Sequence, residues 1–151
     1  MKKRALAVMV GSAVVLFGCA TGGHGQRDHM STLGCHVSPC NIEVAVSGTP
    51  PHVVVKVPDT VEVQANVRPA MLRWHLTSTD PSKYEFRDDS IQFTEVASGE
   101  QFSKVGLQGG NKEMVYKDAN TDGEQYRYLV KVYVRGTQDW YPSDPFIWNG
   151  R

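Results

Sequence analysis

The sequence has no apolar run long enough to cross a bilayer. Its mostly apolar run, Ala5–Phe17, holds about 13 residues, against the roughly 20 that a spanning helix needs. Beyond a short N-terminal head it has no cluster or stripe of Lys and Arg, which argues against nucleic acid as a partner. No long stretch carries a 3.6-residue apolar period, so a helical domain is not expected. No G-x-S-x-G elbow occurs, and no other arrangement of nucleophile and base stands out. Neither His nor Cys occurs after His75, so the late Cys-His-Met loop of a blue-copper centre cannot form. These absences point away from an enzyme: no catalytic residue is assigned and no cofactor is expected.

What is present begins with an address. Lys2, Lys3 and Arg4 precede the apolar run, which matches the basic and apolar regions of a secretory signal peptide. At the end of the run, Leu16-Phe17-Gly18-Cys19 resembles the lipobox of bacterial lipoproteins, with Phe17 larger than the residue usual at its position. The resemblance covers these four residues and implies cleavage before Cys19, a diacylglyceryl group on its thiol and acylation of its new amino group. Cleavage after Ala20 with soluble export is the competing reading. Each buried methylene contributes about 0.8 kcal/mol, so two or more chains hold a protein firmly to a membrane. Ala20, not Asp, follows the cysteine, which by resemblance to Gram-negative lipoproteins implies the outer membrane, facing the periplasm.

The sequence then divides into a signal peptide (1–18), a lipidated tether (19–34) and one domain (35–151). The tether is rich in Gly, His, Ser, Thr and Gln, and as a flexible coil it would reach only about 20 Å. The formal charge of zero, from 16 basic and 16 acidic residues, includes the three basic residues of the head; without them the chain is acidic by three. With Cys19 set aside, Cys35 and Cys40 remain of the three cysteines. In an oxidising compartment such a pair closes into a disulfide. The C-x-x-C spacing of a redox motif is absent, and paired metal ligands are the other alternative.

Period-two alternation dominates the domain. It is clearest in Val61–Val67, Leu72–Leu76 and Tyr126–Val134, with shorter runs at Ile42–Val46, Val53–Val57, Tyr84–Phe86, Ile91–Phe93 and Met114–Tyr116. Gly, Pro, Asn and Asp clusters separate the runs. Seven to nine short strands predict an all-β, antiparallel β-sandwich, with a small closed barrel as competitor. Trp74 in mid-strand, and Asp122 four residues before Tyr126, resemble the immunoglobulin superfold with its core Trp on the third strand and its corner Tyr. In that resemblance Tyr128 and Val61 fall near the places of the two core cysteines, although the Gly usual in the Asp-Tyr motif is elsewhere. The fold so implied carries no function with it.

Three places could carry chemistry. Asp118-Ala119-Asn120-Thr121-Asp122-Gly123 matches the opening D-x-N-x-D-G of a calcium loop, but the twelfth position is Leu129 inside a strand. An Asx-rich loop leading into that strand is the simpler expectation. His24, His29 and Met30 in the tether, with His36, His52, His75 and the cysteines, show no metal-site spacing. The segment from Asp139 to Trp148 gathers Trp140, Tyr141, Phe146 and Trp148 with Pro142 and Pro145. Proline is poorly suited to a central strand, so an edge segment burying Trp140 and Trp148 is expected. The alternative is an exposed patch that binds an envelope protein or a glycan. The sequence thus points to a lipid-anchored envelope protein with a non-catalytic binding or structural module. Its alternative is a periplasmic protein binding calcium, or copper or zinc.

Overall fold

A computed structural model describes residues 31–94 and 98–150. Two sheets pack together. In the first, β1 (Thr32–Cys35), β4 (Thr60–Val63), β12 (Phe146–Asn149), β10 (Gln125–Val134) and β11 (Trp140–Ser143) lie in that order. β6 (Tyr84–Glu85) and β7 (Ile91–Phe93) pair with β10 along its other edge. The second sheet runs β3 (His52–Lys56), β2 (Cys40–Thr49), β5 (Ala70–Ser78), β9 (Glu113–Asp118) and β8 (Phe102–Gln108). One short helix, α1 (Ser98–Gln101), leads into β8.

The alternation becomes the core. Ile42, Val44, Leu72, Trp74 and Met114 of the second sheet meet Val61, Tyr128, Val130, Val132 and Ile147 of the first, all fully buried. Trp74 stands against Tyr128 with ring centroids 5.5 Å apart, and its Nε1–H donates to the Tyr128 hydroxyl at 3.4 Å. The residue that reaches Tyr128 from the opposite sheet is therefore Trp74. Val61 shares a sheet with Tyr128 and cannot be its counterpart. At the corner before β10, the Tyr126 hydroxyl donates to the Asp122 carboxylate.

Two expectations need correcting. The sandwich is mixed, not purely antiparallel, since β1–β4, β4–β12 and β2–β5 are parallel pairs. Period two records which face a side chain takes and is silent on strand direction. Thr32–Gly34, assigned by composition to the tether, belong to β1 and pair with β4. An edge strand held by backbone hydrogen bonds needs no apolar alternation. Cys35 and Cys40 do form a disulfide, joining the end of β1 to the start of β2, with Cα atoms 5.4 Å apart.

Of the C-terminal segment only β11 is an edge strand. β11 and β12 keep a single antiparallel register along β10, interrupted only at Asp144-Pro145, and β12 lies between β10 and β4 inside the sheet. The prolines fit because of where their missing N–H groups fall. Lys131 turns its N–H to Ser90 O on the far side of β10, so its partner Pro142 occupies a position with no ladder bond to lose. Pro145 uses only its carbonyl, accepting from Tyr128 N–H at 3.1 Å.

Candidate functional site

The register along β10 decides which way the C-terminal aromatics point. Partners across a ladder share a face. Tyr141 lies opposite Val132 and Ile147 opposite Tyr126, on the core side. Trp140, Phe146 and Trp148 lie opposite Tyr133, Arg127 and Gln125, on the outer side. The structure thus unites three of the four aromatic candidates and sends Tyr141 inward. Trp140 is 44% exposed and Trp148 48%, so the expected burial of both tryptophans does not occur. The even-numbered residues of β11 and β12 face outward, and the core is already filled by Ile147 and its neighbours.

Around these rings the outer face carries charges that are tied to one another. Arg127 holds Asp144 with two hydrogen bonds, one of them Nε to Oδ1 at 2.9 Å. Asp89 accepts from Lys131 Nζ at 3.1 Å and from the Tyr133 hydroxyl at 2.6 Å. Burial alone would raise the Asp89 pKa, but these two hydrogen bonds outweigh it and hold the carboxyl below its usual range. Lys131 also lies 5.0 Å from the centroid of Trp140. At about 3.3 Å per residue, Trp140 and Trp148 stand roughly 26 Å apart.

Trp148 forms one wall of a groove of about 790 Å³, which Glu62, Gln64, Ala65, Asn66, Gly123 and Gly150 also line. Beside it is a buried polar cluster. Asp118, the last residue of β9, is fully buried, as are Asn120 and Asn149. Asp118 Oδ1 accepts from Asn120 N–H at 2.8 Å and from Asn149 Nδ2 at 3.3 Å. Asn120 Nδ2 donates to Gln64 O at 2.7 Å and Val67 O at 3.0 Å. Asp122 Oδ1 accepts from Glu124 N–H at 3.1 Å and lies 3.4 Å from Asn149 Nδ2. Burial pushes the Asp118 pKa up to about 6, aided by the charge of Asp122.

The D-x-N-x-D-G motif therefore does not close as an exposed twelve-residue loop with a ligand at its twelfth position. Asp118 points into the sandwich, Asp122 serves the Tyr126 corner, and Leu129 lies within β10. Spacing alone could not reveal Asn149, which arrives from the far end of the chain through the β12 register. Nor could it reveal the groove walls at Glu62–Asn66.

The remaining candidates are dispersed. His75 pairs with Glu113 on the outer face of the second sheet, Nδ1 to Oε1 3.4 Å. His36 lies between β1 and β2, and His52 begins β3. Among the described residues no group of three His, Cys, Asp or Glu side chains is placed to hold a metal. Cys19, His24, His29 and Met30 lie outside the described residues. No helix among the described residues is long and apolar enough to cross a membrane. In comparisons with known proteins, the chain matches no family model and no curated protein.

Proposed function

We propose that this chain is a lipid-anchored cell-envelope protein whose sandwich is a non-catalytic binding module, working through the outer face of its first sheet. The observation that carries the reading is the placement of Trp140, Phe146 and Trp148 on one outward face, with both tryptophans nearly half exposed. Bare aromatic surface of this kind marks contact sites. Arg127 pairs with Asp144 and Lys131 with Asp89, which leaves the rings, with Glu62 beside Trp148, to make contacts. A Trp beside a groove carrying Glu62, Gln64 and Asn66 suits a glycan or a polar loop of an envelope protein.

The lipobox residues and the short tether support anchoring, with the domain held about 20 Å from its membrane. An immunoglobulin-like arrangement is the finer reading of the sandwich. The Trp74–Tyr128 contact between the sheets and the Asp122–Tyr126 corner support it.

The test uses Cys19→Ala protein, freed of its anchor, sedimented with washed envelopes. The unmodified face should bind, and Trp140→Ala/Trp148→Ala should weaken binding about tenfold or more while leaving the circular dichroism spectrum unchanged. Equal binding by the double variant would contradict the proposal. Digesting the envelopes with protease or with a glycan hydrolase then separates a protein partner from a glycan.

A further inference from the structure

The geometry points to a cation site in the buried polar cluster beside the groove, in which Asp118, Asp122 and Asn149, with Asn120 beside them, coordinate a hard divalent ion of the calcium class. It is independent of the aromatic face.

The first observation is a carboxylate without a counter-charge. Asp118 is fully buried, and the hydrogen bonds it accepts come from a backbone N–H and an amide, both neutral. A buried charge normally requires a partner of opposite sign, a proton or a metal. The second is a set of orphaned acceptors: Asp118 Oδ2, Asn120 Oδ1 and Asn149 Oδ1 are buried with no hydrogen-bond partner. Native interiors rarely leave such atoms unmatched, and three in one cluster call for an explanation.

The third observation is spacing. The Asn149 amide lies 3.3 Å from Asp118 Oδ1 and 3.4 Å from Asp122 Oδ1. Charge-assisted N–H···O⁻ bonds are usually shorter, about 2.7–2.9 Å. Oxygens at right angles around an ion with bonds of 2.3–2.6 Å are about 3.3–3.7 Å apart. An amide's nitrogen and oxygen are nearly interchangeable in shape. Turning the Asn149 amide over therefore sets its Oδ1, the same orphaned atom counted above, at calcium-shell spacing from one oxygen of each carboxylate.

The donors are all oxygen, which selects a hard cation over copper or zinc. The groove beside the cluster is lined by Gln64, Gly123 and Gly150, each joined to the cluster through the chain or a hydrogen bond, so only a short stretch of backbone separates the two. A proton on Asp118 is the rival explanation. It supplies one donor to a cluster with three orphaned oxygens, so at least one acceptor stays unmatched.

The experiment uses the full-length protein in detergent, stripped with chelator. Terbium(III) is titrated with excitation of tyrosine, because the Tyr126 hydroxyl lies on Asp122. Expected are saturable sensitised emission at one equivalent, its displacement by calcium, and a rise of several degrees in Tm with millimolar calcium. Asp118→Asn should lose at least tenfold in affinity while keeping the native circular dichroism spectrum. Asn149→Asp, which adds a charged ligand, should bind calcium more tightly yet be less stable in chelator. A wild-type Tm indifferent to calcium, no saturable emission, or unchanged binding by Asp118→Asn would each overturn the site. So would an Asn149→Asp variant that is destabilised and not rescued by calcium.

Discussion

Asp118 combines complete burial with a carboxyl group whose pKa burial lifts from 3.8 to about 6. A folded-state value above the unfolded one means that the folded chain holds this proton more tightly. The resulting stabilisation is present in full below about pH 3.8 and is lost as pH rises through 6. At 1.36 kcal/mol per unit the loss amounts to about 3 kcal/mol for the shift from 3.8 to about 6. In chelator, Asp118→Asn should remove this dependence, since the amide carries no charge to bury. Urea unfolding at pH 4 and pH 7.5 checks it: the difference in stability between variant and wild type should move by about 2 kcal/mol in favour of the variant at the higher pH, short of the full value because pH 4 lies just above the unfolded pKa. Asp122, one turn of the loop away, answers to a different environment. Hydrogen bonds from Tyr126 and from Glu124 N–H outweigh the effect of its burial and hold it below its ordinary value, so it remains the charged member of the pair.

Among the elements, the β1–β2 corner has a covalent clasp at an otherwise lightly held place. β1 pairs with β4 alone at the edge of the first sheet, and the Cys35–Cys40 disulfide ties it to the second. The closed loop is short, so Cys35→Ser/Cys40→Ser should cost about 2 kcal/mol or less. Amide hydrogen exchange should quicken first in β1. A uniform loss of protection across both sheets would contradict that local role.

The strands that sequence alternation made legible are those with one face in the core, such as β2, β5 and β10, where every second residue is buried. β8 was not legible because Ser103, Lys104 and Val105 are all exposed on an edge, and a register shift falls between Lys104 and Gly106. β11 and β12 were masked by Pro142 within the first and Pro145 just before the second, whose tolerance depends on hydrogen-bond sides that only the register reveals. The same limit governs the polar cluster. Asp118, Asn120 and Asp122 declare themselves by spacing, whereas Asn149 joins them only after the chain has crossed both sheets.

For the whole molecule, the two ends of the chain do different work. The start holds the basic head, the apolar run and Cys19; the end supplies β11 and β12, with their outward tryptophans and the inward Asn149. A tether of about 20 Å reach would confine that aromatic face to the membrane's near surface, raising the effective concentration of any envelope partner there. In the proposed reading confinement requires the lipid, since an unanchored sandwich would diffuse away from the envelope surface. The most direct measurement is the intact mass of the protein isolated from its own membranes. A lipid-anchored product begins at Cys19 and is heavier than its polypeptide by a diacylglyceryl and an acyl group. A product that begins after Ala20 and has the mass of bare polypeptide would contradict the anchored reading.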